Sequence, residues 1–267
     1  MCSTIPTYQK VIVFGGVYNN YLALKVLIDR SRELEVDKVF CLGDVGGFGP
    51  YPDRSFPYLQ DCGIETIAGN YDISLAEGLE DCSCGYTDPR DNHFASISYD
   101  YTFRNTSEHY KKWLRGLPHS LQFRLGHKIV QICHGSPRRI NEFLWETSSP
   151  DHLLENFLDE TGADVLCCSH TGIKWQRTLS KNRSFINTGV IGRPGNDGHT
   201  HVWFTLLEDG DEELTWSFLP LEYEYKRLAE EMHQEGLPAE FVETIMTGWW
   251  TTCLENMPSK ERVLGIY

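Results

Sequence analysis

The sequence predicts an α/β chain of layered type. Two sheets pack face to face in a four-layer αββα sandwich, with helices outside and a helical tail. Three observations predict it. Strands and helices alternate through the first half, which argues for a largely parallel sheet covered on both faces. Hairpins replace that alternation in the second half. Several strands read as continuous apolar runs, the pattern of strands buried on both sides.

The elements follow in order. KVIVF (Lys10 to Phe14) is a strand running into Gly15 and Gly16. Tyr21 to Leu34 is a helix, with Leu24, Leu27 and Ile28 at helical spacing and Asn20 placed to cap its start. KVFCLGD (Lys38 to Asp44) and IETIAGN (Ile64 to Asn70) are strands, with a short helix at Arg54 to Asp61 between them. Asp81 to Asn92 is polar, with glycine and proline, and reads as a loop. Thr106 to Leu117 is a helix that ends before Pro118. SLQFRLGHKIVQICHG is a hairpin turning near Gly126. Asp151 to Leu158 is a helix opened by Pro150, and Ala163 to His170 and Ser184 to Gly189 are strands. HVWFTLLEDGDEELTWSFLPL is a hairpin around a Gly-Asp turn. From Glu222 the chain is mostly helical, broken near Gly236-Leu237-Pro238. A single domain over residues 1–267 is expected, with 222–267 packed on it as a helical extension.

Composition narrows the function classes. The 38 acidic against 24 basic side chains give a net charge of -14, which disfavours non-specific nucleic-acid binding. A local cluster of donors can still hold a small anion. No apolar run is long enough to span a bilayer, and MCSTIPTYQK lacks the basic and apolar regions of a signal peptide. Nine cysteines are an odd number and too sparse for a disulfide scaffold. Cys41, Cys133, Cys167 and Cys168 fall in core strands and read as buried free thiols of a cytoplasmic protein. Cys82 and Cys84 form one C-x-C pair in a polar loop, too little to argue a metal site alone. Trp249 and Trp250 read as packing residues of the tail.

Polar residues recur just after strands. Asp44 follows the second strand; Asn70, Tyr71 and Asp72 follow the third; His134 follows the hairpin; His170 follows the next buried strand. Four such loops at one sheet edge can converge into a metal site assembled from distant sequence. Each residue also has a plainer reading: a hydrogen-bonded histidine, a turn-capping Asp44, a left-handed turn at Asn70.

GDVGGFGPYP, GNYD, HGSP, SHTG and NTGVIGRPGNDG, in that order, resemble the signature loops of the calcineurin-like metallophosphoesterases, nearest the bacterial phosphodiesterase and diadenosine-tetraphosphatase-like members. The resemblance implies an αββα metallophosphoesterase-like fold, a hydrolase, and a two-ion site between the sheets. In that family one ion takes a D-x-H pair, a shared Asp and a last His. The other takes the shared Asp, an Asn and two His. Carried over, the second set is complete here as Asp44, Asn70, His134 and His170. The first is stripped: its Asp falls on Gly16, its His on Tyr18 and its last His on Gly172. The family's leaving-group His falls on Tyr71.

The missing ligands all belong to one ion. The expectation is therefore one divalent transition metal ion (Zn, Mn, Fe or Ni) on a degenerate dinuclear site. Arg138, Arg139 and Arg193, with Tyr18, are candidates for substrate or phosphate contacts. Tyr18 is placed to fill the emptied space or to ligate as a phenolate, and Asn19, Asn20, Asn187 and Lys174 to line it. The first reading is a mononuclear phosphoesterase, phosphatase or phosphodiesterase, slow on generic esters and acting on a small phosphorylated molecule or nucleotide. A non-catalytic phospho-ligand-binding relative and a metalloenzyme of another reaction type stay open beside it.

Overall fold

Alternation along the strands sets the layers. The structure, a computed structural model, describes residues 5–210 and 214–262. Its strands are β1 (Thr7–Tyr8), β2 (Lys10–Phe14), β3 (Lys38–Cys41), β4 (Glu65–Thr66), β5 (Ser120–Leu125), β6 (Lys128–Cys133), β7 (Val165–Cys168), β8 (Trp175–Leu179), β9 (Arg183–Asn187), β10 (Val202–Asp209) and β11 (Leu214–Leu221). Its helices are α1 (Tyr21–Glu33), α2 (Phe56–Asp61), α3 (Asn70–Glu77), α4 (Pro89–Asn105), α5 (Glu108–Leu114), α6 (Asp151–Thr161), α7 (Tyr225–Gln234), α8 (Ala239–Thr247) and α9 (Ser259–Arg262). One sheet runs β11-β10-β2-β3-β4 and the other β1-β5-β6-β7-β9-β8.

Successive side chains of a strand point to opposite faces. Val11 and Val13 of β2 therefore meet Val165 and Cys167 of β7 in the core between the sheets. Ile12 and Phe14 turn outward onto α1, and Leu166 and Cys168 outward onto α6. Phe40 of one sheet stacks on Phe123 of the other at 4.4 Å and 5°. The predicted two-sheet, helix-flanked arrangement holds. The tail adds Leu228, Met232, Phe241 and Ile245 to the core that buries α1.

Most predicted elements appear within a few residues, and the differences have local causes. The third strand shrinks to Glu65–Thr66, because Asn70 opens α3 rather than ending a strand. Helix α4 reaches back into the predicted loop: Asp88 caps it by accepting from Arg90 N at 2.8 Å. Its buried residues, Asp91, Phe94, Ser98, Tyr99 and Thr102, include three polar ones, so no clear apolar period marks it in the sequence. Strands β1 and β8 were also silent. The turn predicted at Gly210–Asp211 runs into residues 211–213, outside the described residues. Cys41, Cys133, Cys167 and Cys168 are buried and free, whereas Cys82 and Cys84 are joined as a disulfide. No helix among the described residues is long and apolar enough to cross a membrane.

Parallel pairing of β2 with β3 and of β6 with β7 points their carboxyl ends toward one edge of the sandwich. The sheets close there. Gly15 donates to Gly189 O at 3.1 Å, and a side chain on Gly15 would lie 2.1 Å from Ser169 Cβ.

Candidate metal centre

Asp44 leaves β3 at φ 55°, in the left-handed region that non-glycine residues enter at a cost of about 1–3 kcal/mol. That conformation turns its carboxylate against Gly69, where a Cβ would lie 2.2 Å from Asp44 Oδ1. Oδ1 accepts from Tyr71 N at 3.1 Å. Oδ2 faces His134 Nε2 at 3.2 Å, and His134 Nε2 lies 3.1 Å from His170 Nδ1. The ligand atoms of Asp44, His134 and His170 all lie within 4.8 Å of one another, and all three residues are buried.

The far nitrogens of both imidazoles are occupied. His134 Nδ1 lies 2.6 Å from Leu42 O, and His170 Nε2 lies 3.2 Å from Cys84 O. A nitrogen facing a carbonyl carries a proton, so when both imidazoles are neutral the inner nitrogens are the ones left with lone pairs, the arrangement that orients histidine toward a metal; without a metal, His134 Nε2 takes a second proton and pairs with Asp44. Burial opposes protonation of His134, but the Asp44 carboxylate outweighs it and raises the pKa above its usual value. Burial likewise opposes ionisation of Asp44, and the His134 charge and hydrogen bond, with His170 and the Tyr71 N–H, together more than offset it, so the carboxyl sits below its usual value. Burial, then the His134 charge, pushes His170 down to about 3.

Asn70 is not the left-handed turn residue of the plainer reading; it is the first residue of α3. Its Nδ2 donates to Cys82 O at 2.8 Å, and its Oδ1 is buried without a partner. A buried amide oxygen without a partner, in the loop whose Tyr71 N–H bonds the Asp44 carboxylate, is the observation that tests the fit, and the donor set suits a borderline transition metal.

Asp72, absent from the sequence-derived site, holds these loops together. Its Oδ2 accepts from Asp44 N at 2.7 Å and Gly69 N at 2.8 Å, and its Oδ1 accepts from Val45 N at 3.0 Å. Burial and the nearby Asp44 carboxylate raise its pKa to about 7 against those donors. The legible signal was an Asp placed to cap a helix start. Asp72→Asn leaves an amide NH₂ facing backbone N–H groups. Each stranded buried donor costs about 1–3 kcal/mol, so urea denaturation should show a loss of about 2–4 kcal/mol. A change below about 0.5 kcal/mol, the size of an ordinary surface substitution, would remove Asp72 from this role.

The stripped positions are built over. Gly16 lies at φ +43°, where a Cβ would sit 2.5 Å from Tyr18 Cζ and 2.7 Å from Val190 Cγ1. Gly172 lies at φ +74°, with Trp250 Cη2 3.2 Å from where its Cβ would be. The Tyr18 ring also presses on Gly192, leaving 2.4 Å to a Cβ there. Burial raises the Tyr18 hydroxyl pKa well above its usual value despite Arg193, which disfavours a phenolate.

A cavity of about 60 Å³ joins this region to Asp44 and His170, lined also by Tyr18, Tyr71, Arg193 and Cys253. The Arg193 guanidinium lies 3.4 Å from the Trp250 ring centroid and 5.7 Å from those of Tyr18 and Phe48. It is buried beside the Cys253 side chain, its Nε has no hydrogen-bond partner, and it forms no ion pair with a carboxylate among the described residues. Trp250, read as a packing residue, thus packs against the site itself; its Nε1 donates to Pro194 O at 2.7 Å.

Arg138, Arg139, Asn19, Asn20, Asn187 and Lys174 do not line this cavity. Arg138 forks onto Glu142, with Nε at 2.9 Å from Oε2, and Arg139 Nε donates to Asn141 at 2.9 Å. Asn19 Nδ2 donates to Gly49 O at 2.8 Å, Asn20 caps α1 through Ala23 N at 3.0 Å, and Asn187 Nδ2 donates to Thr171 at 2.8 Å. Lys174 Nζ sits 3.9 Å over the Trp203 ring. The Tyr71 hydroxyl bonds Ser98 Oγ at 2.9 Å, and burial raises its pKa far beyond neutral. A second group, Asp197, His199 and His201, also clusters, but His199 is exposed.

The model of the calcineurin-like phosphoesterase superfamily domain matches residues 10–209, and the chain belongs to that family. An uncharacterized protein of Methanocaldococcus jannaschii is 23% identical over 252 residues, covering 89% of this chain and 98% of its own length. The crystal structure of a hypothetical protein from Pyrococcus horikoshii OT3 matches with a TM-score of 0.73 at 20% identity, covering 92% of this chain and 100% of that one. That of a metallophosphoesterase from Sphaerobacter thermophilus matches at 0.69 and 20%, covering 90% and 99%. These likenesses extend the family's fold across nearly the whole chain.

Proposed function

We propose that this chain is a mononuclear, metal-dependent phosphoesterase acting on a small phosphorylated molecule. The observation that carries the reading is Arg193. A buried guanidinium without an ion pair among the described residues lines the same cavity as Asp44 and His170. An unpaired buried charge is costly, so a site that keeps one is suited to an anion. Arg193 stands beside the emptied first-ion positions and offers positive charge there.

Asp44, Asn70, His134 and His170 would hold the ion, which when bound supplies Lewis-acid charge to a phosphoryl oxygen. Arg193 binds and orients the phosphate. Tyr71 keeps its proton and can donate a hydrogen bond, but it does not shuttle protons near neutral pH. The cavity of about 60 Å³ beside Asp44, His170 and Arg193 has room for a phosphoryl group.

General acid–base help is worth about 10²–10⁴-fold, and that much is expected to be missing on unactivated esters. Phosphate release from metal-loaded protein, measured across aryl and alkyl monoesters and diesters, tests the proposal. Slow release that favours good leaving groups is the expected result. Rapid turnover of unactivated esters would contradict the account of Tyr71. Phosphate binding with no release from any ester would favour the non-catalytic reading, to which the Tyr71–Ser98 bond already lends some support.

A further inference from the structure

The Cys82–Cys84 disulfide lies in the loop between α3 and α4, and both of its residues face the candidate centre through their carbonyls. Asn70 Nδ2 donates to Cys82 O at 2.8 Å, and Cys84 O lies 3.2 Å from His170 Nε2. Asn70 Nδ2 also approaches Cys84 Sγ at 3.5 Å. These contacts decide which atom of each ligand looks inward. With Nδ2 held by Cys82, the Asn70 oxygen is left free. With Nε2 held by Cys84, His170 presents Nδ1 to His134. Two of the four candidate ligands are thus aimed by one three-residue ring. Ser83 within it sits at φ 51°, and Asn141 Nδ2 ties Ser83 O at 2.8 Å.

Cys82 is buried and Cys84 half-buried, so a reductant would approach the bond at Cys84. A cavity of about 600 Å³ lined by Cys82, Cys84, Asn92 and Asn141 lies against the loop. Cys84 in turn lines the inner cavity shared with Asp44 and His170. One residue therefore borders both the outer approach and the centre.

We propose that Cys82–Cys84 is a redox site whose oxidised form organises the metal centre. The inference rests on the metal reading of Asp44, Asn70, His134 and His170. The reaction partner is a dithiol. Its first thiolate attacks one sulfur, forming a mixed disulfide and releasing the other cysteine as a thiolate that takes up a proton. Its second thiol then displaces the remaining cysteine and closes the reductant's own disulfide. Two electrons and two protons pass to Cys82 and Cys84, and the ring opens. The carbonyls are then no longer held at Asn70 and His170 by a covalent turn. Losing partners that orient metal ligands typically costs about 10–100-fold in affinity.

The test is Co²⁺ affinity, read from its visible absorption. It compares air-oxidised protein, protein reduced by an immobilised dithiol and then separated from it, and Cys82→Ser/Cys84→Ser. The expected result is a weakening of about 10–100-fold on reduction, reversed by reoxidation and matched by the double variant. Should that variant misfold, the reversible change in the wild-type chain decides alone. Equal affinity in the oxidised and reduced forms, or tighter binding with a thiolate–cobalt band after reduction, overturns the redox inference and leaves the metal reading standing. Absence of Co²⁺ binding in every form removes the metal reading and this inference with it.

Discussion

His134→Ala is expected to abolish metal binding and to destabilise the metal-free fold. The imidazole joins Asp44 to Leu42 O, so its loss leaves a buried carboxylate without its cation. Removing one partner of a buried pair costs about 3–5 kcal/mol. His170→Ala should abolish metal binding as fully at a smaller cost in stability, because His170 is held neutral and the Asp44–His134 pair survives. Urea denaturation of the two metal-free variants checks the difference, and equal losses would contradict it. The pH dependence follows from the same pair. His134's pKa is raised, so its contribution is complete below its ordinary 6.5 and fades as pH climbs through the folded value. Asp44's is lowered, so its contribution is present above its ordinary 3.8 and fades as pH falls through the folded value. Metal requires neutral His134, so metal affinity should rise with pH where the pair's own contribution fades.

Arg193→Met should separate binding from folding. A charge-assisted hydrogen bond is worth about 1.5–3 kcal/mol, so phosphate or vanadate affinity should fall about 10–100-fold. The thermal midpoint should hold or rise, because the substitution removes an unpaired buried charge while keeping an unbranched chain against Trp250. Calorimetric titration and a melting curve on the same preparation read both. A clear drop in the midpoint with phosphate affinity unchanged would make Arg193 a structural stacking residue instead.

The ligand loops were legible because chemistry sat directly after apolar strands. GD after KVFCL, GN after IETIA, and histidines after KIVQIC and ADVLCC carry both a fold signal and a donor type. The stripping of Gly16, Tyr18 and Gly172 was legible only against the family pattern. What fills that space was not. Tyr18 and Arg193 stand near each other in the loops, but Trp250 arrives from the tail, and nothing in GWW says which pocket it enters. Asp72 stands beside Asn70 in GNYD, but its work, holding backbone groups of two loops distant in sequence, leaves no mark there. The carbonyls of Cys82 and Cys84 leave no mark at all, because any residue could supply them. Arg138 and Arg139 illustrate the reverse failure: arginines next to a ligand loop in sequence can find a nearer carboxylate or amide in space.

The most direct test of the single-ion account is anomalous diffraction from crystals grown with one transition metal and rinsed with a weak chelator. His199→Ala/His201→Ala protein should be used, so that the exposed Asp197 cluster contributes nothing. The account predicts one peak, among Asp44, Asn70, His134 and His170. A second peak beside Tyr18 and Arg193, or no peak at the four ligands, would contradict it.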